Sequence, residues 1–467
     1  MGVCCKGTVS WFCCWPDTCG CDGGYCWHPL RPMQTQWTRS RLRKRCMRGL
    51  YGWHRTLLLS LWFVAGMALP ASYPPRAIAG SAPVAIAVVG DTPVAIAVNA
   101  DTSRAFVLNQ GNWGTPAPSG TVSVLDTRRL QVLRTVPVGI APAAVAIDRG
   151  TQHVFVVNSG APPLSCDGSV SILDARSGNK VVGDITVGND PVAIAVDEAL
   201  QRVLVLNRGD ACTGARGTLS VLDARDGRLL HTIAVGSYPV RVVIDPQRQV
   251  AFIGNLRRSA MSVIDIAHAR VTATIALGIP EGTLAQLQLD APRQRVLVLG
   301  YPPRAENDGS NGTGSLTTLD ARTGRLLNSV PLLNPLSVAV DESSGNALVT
   351  TGGLVTNTRR SEVGGRVIAL REPQGNVLYA RQVGVSPVAL RIDGLRGRVY
   401  VLNEGSVIAG AARSNGSVTI LRARNGRVLC TVSVGHRPAD VALSQRDARA
   451  FVVNTGDNTV STVYPPC

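Results

Sequence analysis

One short unit repeats along this chain, and the repeat limits what the chain can fold into. Between Pro191 and Gly236 the sequence reads PVAIAVD, RVLVLN, GTLSVLDARDG and RLLHTIAVG, with a polar loop between the second and third runs. Val, Ile and Leu dominate these runs, and Gly, Pro, Asn and Asp separate them, so each reads as a short strand. A lone four-stranded unit leaves both faces of its sheet bare, and copies must therefore stack. Aromatic residues make up only 4% of the chain, so the packing between copies has to be aliphatic.

Full units begin at Pro93, Pro142, Pro191, Pro239, about Leu284, Pro335 and Pro387, with a period of about 49 residues. A last unit begins at Pro438 and has only three runs, ADVAL, RAFVVN and TVSTVY. Its missing fourth run lies at the other end. SAPVAIAVVGDTP, from Ser81 to Pro93, aligns with the last run of a unit and not with the first. A sheet that takes strands from both ends closes a ring and removes the exposed edges on which open β-arrays aggregate. The predicted fold is all-β: a β-propeller of eight four-stranded antiparallel blades, closed by an N-terminal strand that completes the last blade. Seven blades is the alternative, if the weak unit at Leu284 or the divergent one at Pro335 is not a blade.

Within a blade the first strand should line the axis, where small residues such as Ala95, Ala97, Ala144, Ala146, Ala193 and Ala195 fit. Phe106, Phe155, Phe252 and Phe451 recur at one position of the second strand and should pack between neighbouring blades. Asp174, Asp223 and Asp320 open short turns closed by Gly178, Gly227 and Gly324. Asp can hydrogen-bond its own backbone there, so these carboxylates read as hairpin chemistry and not as catalysis. Asn109, Asn158, Asn207, Asn255, Asn403 and Asn454 end the second strands and read likewise as turn-formers.

VFVVN at 154–158, VYVLN at 399–403 and AFVVN at 450–454, with companions GTLSVLDARDG and TIAVGSYP, resemble the YVTN family of bacterial β-propeller repeats. The resemblance covers roughly residues 80–467. It implies an exported or surface protein and supplies no catalytic residues. The chain departs from that pattern in its longer loops between second and third strands, and in having one blade more than the common seven.

Upstream of the repeats, residues 47–71 read as an export signal: Met47, Arg48 and Arg55, then the apolar TLLLSLWFVAGMAL, then small residues. An uncleaved membrane anchor is the rival reading. Residues 1–46 hold eight cysteines, from Cys4 to Cys46, at spacings that fit no paired C-x-x-C zinc pattern. They are expected to be an extension upstream of a true start at Met47, and residues 72–467 to be the propeller. Of the formal net charge of +16, a disproportionate share sits at this end, where nine basic residues face only Asp17 and Asp22. Beyond it Lys180 is the only lysine, and a mild arginine excess over a large domain is first a solubility feature.

Loops between second and third strands are long and variable, at residues 109–120, 158–168, 207–217, 300–314, 351–365 and 403–416. They share one face of the disc with the links between blades, and variation on one face of a rigid scaffold marks the expected binding face. Candidate residues there are Trp113, Arg216, Tyr238, Arg241, Arg257, Arg258, Tyr301, Arg359, Arg360, Arg413, His436 and Arg437. Cys166 and Cys212 occupy that loop in consecutive blades and are expected to bond. Cys430 and Cys467 are expected to staple the closing blade.

No H-E-x-x-H, C-x-x-C-H or G-x-S-x-G occurs. The oxygen-rich stretch at 306–312 does not match an EF-hand. The function expected is a non-catalytic, monomeric, exported scaffold in the periplasm or outside the cell, with no cofactor, binding a protein or other envelope ligand. One alternative is a propeller hydrolase or lactonase with a metal in the central channel, which needs donors converging from several first strands. Another is nucleic-acid binding through the arginine-rich loops, for which few aromatic platforms are at hand.

Overall fold

The computed structural model describes residues 84–464 apart from 113–118, 161–166, 210–215, 281–282, 301–311, 354–363, 406, 409–410 and 413. The described residues form eight four-stranded antiparallel sheets and contain no helix. The units at Leu284 and Pro335 are both complete blades, Leu284–Asp290 being the first strand of blade five and Pro335–Asp341 that of blade six. Blade seven also carries a small hairpin, Val407–Ile408 with Ala411–Ala412, in its loop between second and third strands.

The eighth blade takes Pro438–Ser444, Arg449–Asn454 and Thr459–Val463 from the C-terminal end and Ala85–Val88 from the N-terminal end. Ile86 lies opposite Ser461 and Ala87 opposite Val460. Across the junction with blade one, the Thr92 N–H donates to Asn458 Oδ1 at 3.0 Å and Thr455 Oγ1 donates to the Pro93 carbonyl at 2.6 Å. Ser159 makes the equivalent bond to the Pro191 carbonyl, 2.7 Å, between blades two and three. The junction is thus built like any other in the ring.

Packing shows the same closure. Buried apolar side chains of the described residues gather in eight clusters, and each cluster spans two consecutive blades. An open row of eight blades would have seven such interfaces. The eighth joins Phe451, Val453 and Val460 to Ile96, Ala105, Val107 and Leu125. The stripe at the third residue of each second strand is buried in every blade: Phe106, Phe155, Leu204, Phe252, Leu297, Leu348, Tyr400 and Phe451. Each points toward the following blade, as the cluster memberships show for Phe155 with Val203, Val205 and Leu222. Aliphatic partners suffice because each ring or Leu fills a groove between two sheets.

The asparagines differ from the sequence expectation. Each ends a paired strand, is buried, and acts as a clamp inside the sheet. Asn207 Nδ2 donates to Thr218 Oγ1 and Ser220 Oγ at 3.0 and 2.9 Å, and Asn109, Asn158, Asn403 and Asn454 also clamp two hydroxyls each. A buried amide needs such partners. Room for it comes from the glycine ending the preceding outer run: a Cβ on Gly236 would stand 2.2 Å from Asn255 Cγ. The repeated VG and the repeated VLN are therefore two halves of one contact.

Turn carboxylates behave as expected. The Arg322 and Thr323 N–H groups donate to Asp320 Oδ1 at 2.9 and 2.8 Å. The Thr323 N–H is the largest influence on that carboxyl and, with the Thr323 hydroxyl and Arg322, holds it below its ordinary 3.8 against a counter-pull from burial. A second set of aspartates ends the first strands. Asp148, Asp197, Asp245, Asp290, Asp341 and Asp393 are buried, and Asp148 and Asp197 each accept two N–H groups of the turn that follows.

Candidate functional site

Links and loops between second and third strands do share a face. The first residue of such a loop donates its N–H to the residue that precedes the strand-opening proline: Gln110 to Thr92, Ser159 to Ala141, Arg208 to Asp190, Leu256 to Tyr238, Glu404 to Ser386 and Thr455 to Arg437. Blades four and eight have the short versions, residues 256–259 and 455–458. Of the candidate residues, Trp113, Tyr301, Arg359, Arg360 and Arg413 lie outside the described residues. So do Cys166, Cys212 and Cys467, the oxygen-rich stretch at 306–311, and all of 1–83.

Three of the others come together. Arg216 precedes the third strand of blade three, while Arg257 and Arg258 form the short turn of blade four. All three line a cavity of about 320 Å³ between these blades, with Gly236, Ser237, Asn255, Ala260, Ser262 and Thr274. Tyr238 stands beside it in the link, with a φ of 56° ahead of Pro239. The guanidinium of Arg208 lies 5.1 Å from its ring centroid and that of Arg257 lies 5.3 Å away, both within cation–π range. Arg208 is itself held by both oxygens of Asp190 at 2.7 and 3.0 Å. That hydrogen bond is the main cause raising the Arg208 pKa.

Other candidates are apart from this cluster. His436 sits in the link before blade eight, its Nδ1 2.8 Å from Asp457 Oδ1, and its N–H donates to Asp457 Oδ2 at 2.6 Å. Arg437 follows it with a φ of 48°. Arg241 lies near the same face, on the first strand of blade four. Cys430 is half-buried in the outer strand Val428–Ser433.

The channel is less uniform than alanine-rich first strands imply. The eight first strands neighbour one another in a closed ring. Blades one to three carry the expected alanines, but Arg241, Gln286, Gln288, Ser337, Arg391 and Asp440 replace them farther round. Gln286 Oε1 accepts the Val338 N–H of the next blade at 2.6 Å, and Asp440 Oδ2 accepts that of Ile96 at 3.2 Å. Asp440 Oδ1 also accepts from Arg391 Nη2 at 3.0 Å and from the Val441 N–H at 2.9 Å. Solvent in the channel reaches this carboxyl, but its depth in the disc lifts its pKa above 3.8 against the pull of Arg391 and the two N–H groups. These side chains tie blade to blade by capping first-strand N–H groups. No group of three or more metal-ligand side chains occurs among the described residues.

Residues 76–296 match the model of the choice-of-anchor I domain. No curated protein matches the chain. Among solved structures it is similar to Saccharomyces cerevisiae Sqt1, with a TM-score of 0.60 and 10% identity over 81% of this chain and 97% of that one. BamB from Moraxella catarrhalis gives 0.52 and 14% over 82% and 98%, and Kuenenia stuttgartiensis hydrazine synthase gives 0.52 and 17% over 70% and 96%. At these identities the likeness is one of fold, and function has to be argued from the site.

Proposed function

We propose that the protein is a non-catalytic binding scaffold that presents its loop-bearing face to a protein or other ligand of the cell envelope. The observation that carries this reading is the asymmetry of the disc. One face bears long, variable loops and a cluster of arginines, whereas the opposite face is closed by short turns whose aspartates are occupied by their own backbone N–H groups. The match to the choice-of-anchor I domain supports a surface-associated or exported place. With that reading go 47–71 as an export signal, 1–46 as upstream extension and 72–467 as the propeller. A YVTN-type bacterial repeat protein remains the finer reading of the repeats. Among the described first-strand residues that replace alanine in the channel one is a carboxylate, Asp440, already paired with Arg391, which favours binding over metal-assisted hydrolysis.

Natural templates for a test exist in blades four and eight. Trimming residues 159–168, 208–217 and 404–416 to four-residue turns leaves Asn158, Asn207 and Asn403 in their ladders and should preserve the blades. Capture of envelope components by cross-linking should then fall to background relative to the full chain. Equal capture by both forms would remove the loop face as the binding surface.

We further propose the bridges Cys166–Cys212 and Cys430–Cys467. The bonded state of Cys430 supports the second. Non-reducing peptide mapping of the exported protein should recover both linked pairs. Four alkylatable thiols in the propeller would refute them.

A further inference from the structure

We propose that the cleft between blades three and four is a site for a tetrahedral oxyanion, a phosphate or sulfate group carried by the ligand. The proposal deepens the loop-face reading and rests on it for the cleft's access to a partner.

Blade four breaks the repeat here in several ways at once. Its loop between second and third strands is cut to four residues, which brings Arg257 and Arg258 straight onto the rim. Asn255 has lost half of its clamp. In blades one, two, three, seven and eight a Ser or Thr at the first position of the latch binds the amide, but blade four has Ala260 there. Asn255 Nδ2 binds one hydroxyl, Ser262 Oγ at 3.0 Å, where the other five each bind two. Asn255 and Ala260 both line the cleft, which leaves an amide with a single hydroxyl partner beside it. Backbone conformation adds a further departure. Arg258 and Ser259 are consecutive residues with φ of 81° and 41°, a region where Gly is at ease and Arg is strained.

Charge fixes the ligand class. Arg216, Arg257 and Arg258 converge on the cleft, and no carboxylate is among the residues that line it. None of the three has a carboxylate partner among the described residues. Arg257 is pre-placed by the Tyr238 ring, which lowers the entropy lost on binding. The wall adds neutral donors in Ser237, Ser262, Thr274 and the Asn255 amide. Planar guanidinium forks with hydroxyl and amide donors suit an anion with three or four oxygens, and the cavity of about 320 Å³ holds such a group with part of its carrier.

Isothermal titration of the full chain with inorganic phosphate, inorganic sulfate, a phosphorylated monosaccharide and a sulfated monosaccharide tests this. Saturable one-to-one binding that weakens with salt is expected. The Arg257→Gln, Arg258→Gln double variant should bind about tenfold more weakly or worse. Ala260→Ser restores the hydroxyl found at this position in blades one, two, three, seven and eight and so should fold normally. It should also weaken binding several-fold by occupying the amide. Arg446→Gln, on the opposite face, should bind like the parent. Tighter binding of the phosphorylated or of the sulfated sugar identifies the carrier. No saturable binding by any of the four overturns the proposal, as does an equal loss in Arg446→Gln, which would mark diffuse surface charge. Because no partner is present, this outcome is independent of the capture experiment: anion binding with undiminished capture by the loop-trimmed chain would sink only the loop-face reading.

Discussion

Deleting residues 84–89 is expected to leave a chain that no longer folds as a soluble monomer. The strand Thr459–Val463 would lose its partner along four register pairs, from Ala85–Thr462 to Val88–Thr459. The interface between blades eight and one would lose Ala87 from its wall and expose Val460, which is fully buried. Four ladder positions at about 1 kcal/mol each, with the uncovered apolar surface, amount to roughly 4–7 kcal/mol. Domains commonly have about 5–15 kcal/mol in total. The bared strand is also an unprotected edge and a template for association. Thermal unfolding and size-exclusion chromatography should show a large fall in Tm and a shift to aggregates. A synthetic peptide of residues 81–91 added in trans should partly reverse both. Within the strand the effect should alternate: Ala87, 7% exposed, should not tolerate Asp, whereas Ile86→Thr, at 59% exposed, should change stability by no more than about 0.5 kcal/mol. An unaltered monomer with the parental Tm would show that the ring gains little from closing.

Phe155→Ala should cost about 3–5 kcal/mol, the usual range for emptying a buried phenyl site. Its ring is fully buried and is shared by two blades, with Val157, Val170 and Ile172 on its own side and Val203, Val205 and Leu222 across the interface. These neighbours belong to paired sheets and cannot collapse into the void without shifting a blade. Urea unfolding should show a lower midpoint at an unchanged slope. Leu395→Ala is the control: Leu395 is 76% exposed in a turn, and its loss should stay within about 0.5 kcal/mol. A cost for Phe155 below about 1 kcal/mol would mean that the stripe is not what joins the blades.

The strands, their grouping into blades and the closing strand were legible because each is written in short-range pattern, whereas the choice of eight blades over seven waited on the units at Leu284 and Pro335. Apolar runs end at Gly, Pro, Asn or Asp, and the leftover run at residues 83–89 matches the one missing after Val463. Turn aspartates such as Asp320 were legible for the same reason, since their partners are two and three residues away. The asparagines were misread because their partners are not local: Asn207 looks like a turn residue until Gly188 and the hydroxyls of Thr218 and Ser220 enclose it. The channel was only half legible, because Asp440 acquires its meaning from Arg391 and Ile96, 49 and 344 residues distant.

Sequence by itself therefore determined a closed propeller disc, of eight blades or seven, and the face on which its variable loops stand, since periodicity and turn chemistry act over a few residues. Only the tertiary structure decided that Arg216, Arg257 and Arg258 share one cleft and that Asp440 is paired with Arg391 within the channel. Both depend on how far one blade is rotated against the next, and that rotation is set by side-chain packing between sheets.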